Sequence, residues 1–308
     1  MTDRLAAEFE AHRAHLQAVA YRMLGSLTDA DDAVQEAWLR LARADTDEVR
    51  SLRAWLTTVV GRICLDMLRS RAARREDPIE DGHLPDPIVT AVDDDPQARA
   101  ELADSVGLAL LIVLETLSPA ERLAFVLHDV FGVPFDQIGP MLDRSPAAAK
   151  QLASRARQRL RSAGSTPDAD ARRHSEVLDA FLSASREGDF EGLVALLHPD
   201  VVLRADAGDG PLGPSRVLRG PVTVAGQAQR YAGLARSTVP VLVNGAPGLV
   251  AAPRGVPMAI VSIAVRDGLI SEIDILADPE RLRRVLPPGL TRHLAPDAGH
   301  GADPLSTP

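Results

Sequence analysis

A chain of 308 residues exceeds one ordinary domain and fits two or three. Hydrophobic residues make up 45% and aromatics only 3%, so the predicted cores are built from Leu, Val and Ala, and the single cysteine, Cys64, excludes an internal disulfide and a cysteine-based zinc site. The formal charge of −9 argues against indiscriminate coating of nucleic acid, although the local distribution of charge decides DNA binding.

The first stretch, 4–75, reads as a helical domain. Phe9, Leu16, Val19, Ala20, Met23 and Leu24 recur at helical spacing, and Gly25 can close that helix. Thr28 or Asp29 is the predicted cap of the next helix, whose acidic first turn suits the helix dipole. Its Asp29, Asp31, Asp32, Gln35, Glu36 and Trp38 form an acidic-aromatic face, suited to a partner protein rather than to DNA, with Trp38 either an anchor or, with Leu39, core. Ser51 then starts a long helix to Arg75 carrying Arg50, Arg53, Arg62, Arg69, Arg71, Arg74 and Arg75, with Trp55 and Thr58 near its start. Arginines beside an aromatic suit DNA whose strands are separating, because an unstacked base rests on a π-face; the alternative for Trp55 is a core anchor.

Residues 76–100 carry Pro78, Pro85, Pro87 and Pro96 among many acids, which predicts an extended linker rather than a packed element. Helices resume near 98–116, and Ser118, Pro119 and Glu121 form a capping-box start for a helix ended by Gly132. The strongest chemical signal follows at 134–162. A short helix with Phe135, Ile138 and Leu142 meets a turn at Asp143-Arg144, and Ser145 and Pro146 begin a second helix free of acids to 161. That second helix bears Lys150, Arg155, Arg157, Arg159 and Arg161, with Ala148, Leu152, Ala156 and Leu160 predicted to face the first. This is the helix-turn-helix pattern. Its early residues, Ser145, Ala147, Lys150 and Gln151, with Arg155, are placed to contact base edges and phosphates. The alternative is a solvated basic helix in a bundle.

From 174 the texture changes to two helices and then β-rich runs, with a hairpin signal at 258–276 around Asp267-Gly268. An α+β domain over 174–286 and a disordered tail over 287–308 are predicted.

Residues 29–41 with 51–71, and 117–160, resemble the second and fourth conserved regions of extracytoplasmic-function (ECF) sigma factors. The linker string and the third domain resemble the subgroup with a SnoaL-like extension. The subgroup's Trp-Leu-Pro-Glu-Pro linker is here His83-Leu84-Pro85-Asp86-Pro87, and its Asp-Gly-Gly-Gly-Lys loop would fall at Asp206-Ala207-Gly208-Asp209-Gly210, without the lysine. The resemblance implies a multidomain fold: a region 2 helical domain (4–75), a region 4 helix-turn-helix domain (101–163) and an α+β SnoaL-like cone (174–286). It implies core RNA polymerase and promoter DNA as partners, in the cytoplasm, with no membrane, metal or cofactor. Asp29, Asp32, Gln35, Glu36 and Trp38 would dock on core polymerase. Arg53, Trp55, Thr58, Arg62 and Arg69 would melt and read the minus-ten element, and the helix-turn-helix the minus-thirty-five element. The acidic linker would thread the polymerase channel, and the cone would modulate activity in cis. Enzymes on such cones use an Asp or His base, for which His198, Asp200, Asp206 and Asp274 are the candidates, but no pair among them demands catalysis. Two rivals stand beside this reading: a ligand-sensing helix-turn-helix regulator, which needs only one DNA-binding unit, and a SnoaL-like enzyme fused to a DNA-binding region. A small-molecule ligand for the cone is left open.

Overall fold

The computed structural model describes residues 2–44, 51–73, 83–91, 107–162, 171–208 and 210–290. By contacts the chain forms two units, Met1–Asp77 with Leu110–Ser165, and Pro78–Ala109 with Thr166–Pro308. No described helix is long and apolar enough to cross a membrane.

The helical unit begins with α1 (Thr2–Leu24), α2 (Leu27–Leu41) and α3 (Leu52–Ala73). All six predicted apolar positions of α1 are buried. Gly25 closes α1 with φ +70°. The cap of α2 is neither Thr28 nor Asp29 but Ser26, whose Oγ accepts from the Asp29 N–H at 3.3 Å. After Gly25 reverses the chain, Ser26 is the residue left in extended backbone, which is what an N-cap requires.

Four further helices complete the unit: α4 (Leu108–Glu115), α5 (Pro119–Phe125), α6 (Phe135–Met141) and α7 (Pro146–Ser162). The predicted capping box forms, with Ser118 and Glu121 each accepting from the other's backbone N–H. Helix α5 runs into a π-turn, Val126–Val130, before Gly132 ends it at φ +68°.

The sheet unit carries β1 (Val89–Ala91), α8 (Ala171–Glu187), α9 (Phe190–Ala195), β2 (Leu197–Asp206), β3 (Arg216–Arg219), α10 (Pro221–Arg230), α11 (Ala232–Ala235), β4 (Thr238–Val243), β5 (Ala246–Ala251), β6 (Ala259–Arg266), β7 (Leu269–Leu276) and α12 (Pro279–Val285). One seven-stranded sheet has the order β1-β4-β5-β6-β7-β2-β3. Only β2 and β7 are parallel; the other neighbours are antiparallel. The predicted β6–β7 hairpin turns on Asp267 and Gly268 at φ +53° and +77°, the two positive-φ residues of a type I′ turn. Leu178, Phe181, Leu193, Leu203, Leu249 and Ile273 anchor the core between the helices and one face of the sheet.

Residues 83–91, predicted as unpacked linker, instead bind this unit. Val89, Thr90 and Ala91 pair with Val243, Leu242 and Val241 on the β4 edge. Asn244 extends the pairing by accepting the Ile88 N–H on its side chain and donating its own N–H to the Ile88 carbonyl. Proline and acid content suppresses helix but not a short edge strand, which is where proline is tolerated in sheets. The tail predicted as disordered from 287 is ordered to 290, where Leu290 is buried and its N–H donates to the Pro287 carbonyl at 3.0 Å; the rest lies outside the described residues.

Candidate nucleic-acid interface and linker site

The turn between α6 and α7 is built on Gly139 and Asp143. A Cβ at Gly139 would come within 2.8 Å of the Arg144 carbonyl, so only glycine lets the turn fold back so closely. Asp143 takes φ +54°, a conformation that aspartate tolerates better than most residues. Ser145 caps α7 by accepting the Ala148 N–H at 3.2 Å. The buried stripe of α7 is Ala149, Ala153, Ala156 and Leu160, not the predicted 148, 152, 156 and 160; Ala148 and Leu152 are half-buried. The helix is turned so that its smallest side chains face α5 and α6, which allows close packing.

That rotation leaves Ser145, Ala147, Lys150, Gln151 and Arg155 exposed together. Lys150 and Arg155 make no ion pair with a described residue. Arg157 and Arg159 are ion-paired instead, Arg157 to Asp129 at 3.2 Å and the still exposed Arg159 to the buried Glu121 at 2.7 Å. Their sequence positions resembled those of Lys150 and Arg155, and a carboxylate within reach on another element separates the two sets.

Helix α3 is more enclosed. Arg53, Arg62 and Arg69 are exposed, and Trp55 and Thr58 half-buried. Arg53 reaches His15 at 3.3 Å and Arg62 donates to the Pro140 carbonyl at 3.2 Å. Burial, with Arg53 adjacent, lowers the His15 imidazole to about 4. Gly61 lies against Leu123, Leu127 and Met141, where a Cβ would meet the Leu127 side chain at 3.3 Å. Arg71 is ion-paired to Asp29 of α2. Arg50, Arg74 and Arg75 lie outside the described residues. Cys64 is buried, which raises its thiol to about 12 and leaves it inert.

On α2, Asp31, Asp32, Gln35 and Leu39 are exposed. Glu36 pairs with Arg40 at 3.0 Å. Trp38 is half-buried with its ring 5.1 Å from Phe9, so Leu39 and not Trp38 is the exposed apolar side chain of this face.

The two sequence strings singled out in the sheet unit meet each other. Asp206 accepts the Leu84 N–H at 2.9 Å and lies 3.0 Å from the His83 ring. Arg281 of α12 ties both: its Nε and Nη2 donate to Asp86 at 2.8 and 2.6 Å, Nη2 donates to the Leu84 carbonyl at 2.5 Å, and Nη1 donates to Asp206. Burial pushes the Asp206 carboxyl up, but His83, the Leu84 N–H and Arg281 outweigh it and hold the group below the usual carboxylate range. Arg281 carried no sequence signal; an arginine in a short helix that also holds Arg283 and Arg284 reads as surface. The glycines matter here, because a Cβ at Gly210 would come within 2.7 Å of the Ala207 carbonyl.

The proposed bases separate from the cavity of the cone. The cavity is lined by Leu203 and Ala205 of β2 and by Ile273 and Ile275 of β7. Strand alternation therefore sends Arg204, Asp206, Glu272 and Asp274 to the opposite face. There Arg204 bonds Glu272 at 2.8 Å and Asp274 at 3.1 Å. Burial raises the Asp274 carboxyl to about 7, against the pull of Arg204. His198 contacts Arg266 and does not line the cavity, and Asp200 is exposed.

Family models for "Sigma-70 region 2" and "Sigma-70, region 4" match residues 9–74 and 108–160. The chain is 41% identical to the ECF RNA polymerase sigma factor SigJ of Mycobacterium tuberculosis, over 93% of this chain and 98% of the relative. The chain belongs to the ECF RNA polymerase sigma factors. It is also 36% identical to the probable ECF sigma factor SigI of the same organism, over 91% of this chain and 95% of that one. The crystal structure of M. tuberculosis SigJ matches with TM-score 0.71 and 40% identity, covering 90% of this chain and 98% of that one. As an ECF sigma factor the protein acts in transcription initiation, and its architecture is two helical sigma regions followed by a SnoaL-like α+β domain.

Proposed function

We propose that α7 reads the minus-thirty-five element through Ser145, Ala147, Lys150, Gln151 and Arg155, with α3 engaging the minus-ten element through Arg53, Trp55, Thr58, Arg62 and Arg69. The observation that carries this reading is the joint exposure of those five α7 residues on a helix without acids. Core RNA polymerase docks on the exposed part of α2, where Asp32 and Gln35 flank Leu39; Asp29 supports that face from its pair with Arg71, and Glu36 and Trp38 border it. The protein works beside polymerase in the bacterial cytoplasm.

The SnoaL-like domain acts in cis, as a regulator and not as an enzyme. It holds the segment that joins the two sigma regions, through Arg281, Asp206 and the β1–β4 pairing. Released or gripped, that segment sets how far the two DNA-reading regions can separate, so the grip biases the population able to engage a promoter. The test is in vitro transcription with purified core polymerase. Full-length protein is expected to initiate at a cognate promoter, charge reversal at Asp32 to weaken co-purification with core, and truncation after Ser165 to change the transcript yield. Identical output from the truncated and full-length chains would remove the regulatory part alone.

A further inference from the structure

The cone holds a cavity of about 120 Å³ in which a cationic group without a counter-ion among the described residues faces apolar walls. The cavity exists because alanines stand where larger residues would fill it: Ala205, Ala251, Ala259 and Ala277 line it on the sheet side. Phe181 and Leu178 of α8 form much of the opposite wall. Among the described residues the lining holds no Asp, Glu, His, Lys or Cys.

The one charged residue among the described lining is Arg216, at the start of β3 and paired in register with Ala205. Nη2 of Arg216 donates to the Leu212 carbonyl at 2.7 Å and reaches the Tyr231 hydroxyl at 3.3 Å. The Tyr231 hydroxyl donates to the same carbonyl at 2.9 Å, which fixes both side chains. Nε of Arg216 is buried and has no hydrogen-bond partner among the described residues. No described carboxylate pairs with this guanidinium, unlike Arg204 and Arg281 in the same unit. A buried cationic donor left open beside an apolar chamber is a costly arrangement unless an acceptor arrives from outside. An apolar cavity of roughly 150 Å³ accepts a benzene ring, so this one suits a ligand of about one ring or a short chain.

We propose that the cone binds a small apolar carboxylate, its acid group on Arg216 and its hydrocarbon body between Phe181 and the alanine floor. This inference stands apart from the sigma-factor assignments and uses only the sheet unit.

The experiment is calorimetric titration of the full-length protein with phenylacetate, and with 2-phenylethanol as the neutral analogue. Phenylacetate is expected to bind about tenfold or more tightly than the alcohol, a difference of about 1.4 kcal/mol. Arg216→Gln should erase that preference while leaving the alcohol's affinity in place. Ala251→Leu, which fills the chamber, should abolish both; Ala259→Val is the second filler if the first lowers the melting temperature. No saturable binding of either probe at millimolar concentration, equal affinity for acid and alcohol, or binding that survives a folded filling variant overturns the proposal.

Discussion

The enclosed arginines of the sheet unit and the outward cations of α7 serve opposite ends. In the sheet unit Arg204 and Arg281 are buried ties, each between two carboxylates of different chain segments or neighbouring positions. On α7 of the helical unit, Lys150 and Arg155 stand exposed without a described carboxylate partner. A cation already neutralised inside the fold contributes to architecture, whereas one without an internal partner is available to phosphate. Net charge is blind to this difference: a chain at −9 still presents a local surface without acids.

The comparison predicts its largest effect at Arg281. Arg281→Met removes the cation shared by Asp86 and Asp206 in a buried site, and should cost about 3–5 kcal/mol in urea unfolding of the full chain. A loss under about 1 kcal/mol would mean that the ties are ornamental. Lys150→Ala and Arg155→Ala should do the reverse: little change in unfolding, but about 1–3 kcal/mol lost in promoter binding for a base contact, and a shallower salt dependence for a phosphate contact. Equal promoter affinity at every salt concentration would break the outward half of the comparison.

Asp274 sharpens it by pH. Its carboxyl is raised to about 7 by burial, so at pH 5 the folded state holds a proton that the unfolded state has released. That contribution favours folding below the unfolded value and is lost as pH rises through 7. Wild-type stability should therefore fall relative to Asp274→Asn between pH 5 and 8, by about 1–2 kcal/mol, read from unfolding curves at each pH. Parallel pH profiles would show that Arg204 keeps Asp274 ionised throughout. The smallest effect belongs to Arg62→Ala. The residue is exposed and its bond is to a carbonyl, so unfolding should change by less than about 1 kcal/mol while minus-ten binding weakens.

Much of this was legible beforehand where local chemistry decides it. The capping box at Ser118–Glu121, the Asp267-Gly268 turn and the Ser145 start of α7 depend on neighbours a few residues apart, and all three formed. What the sequence hid depends on partners far along the chain. The phase of α7 follows from how closely Ala149 and Ala153 approach other helices, which periodicity cannot resolve where Ala147, Ala148 and Ala149 stand in a row. Trp38, left open between anchor and core, packs its ring against Phe9, some thirty positions away, and is half-buried. Of the four candidate bases, Asp206 and Asp274 fell on the face away from the cavity because strand parity, not residue type, assigns sides. Arg281, the tie between the linker and the sheet, left no local trace.

The short strand β1 has a further consequence. It is the terminal member of the sheet and covers the β4 edge from Val241 to Val243. Any working state in which residues 83–91 leave the domain uncovers a run of unpaired N–H and C=O groups beside Leu242 and Val243. Bare edges of this kind recruit further strands, including those of identical molecules. The linker is thus also a chaperone for its own domain, and the protein should be most prone to self-association at the moment it is most extended.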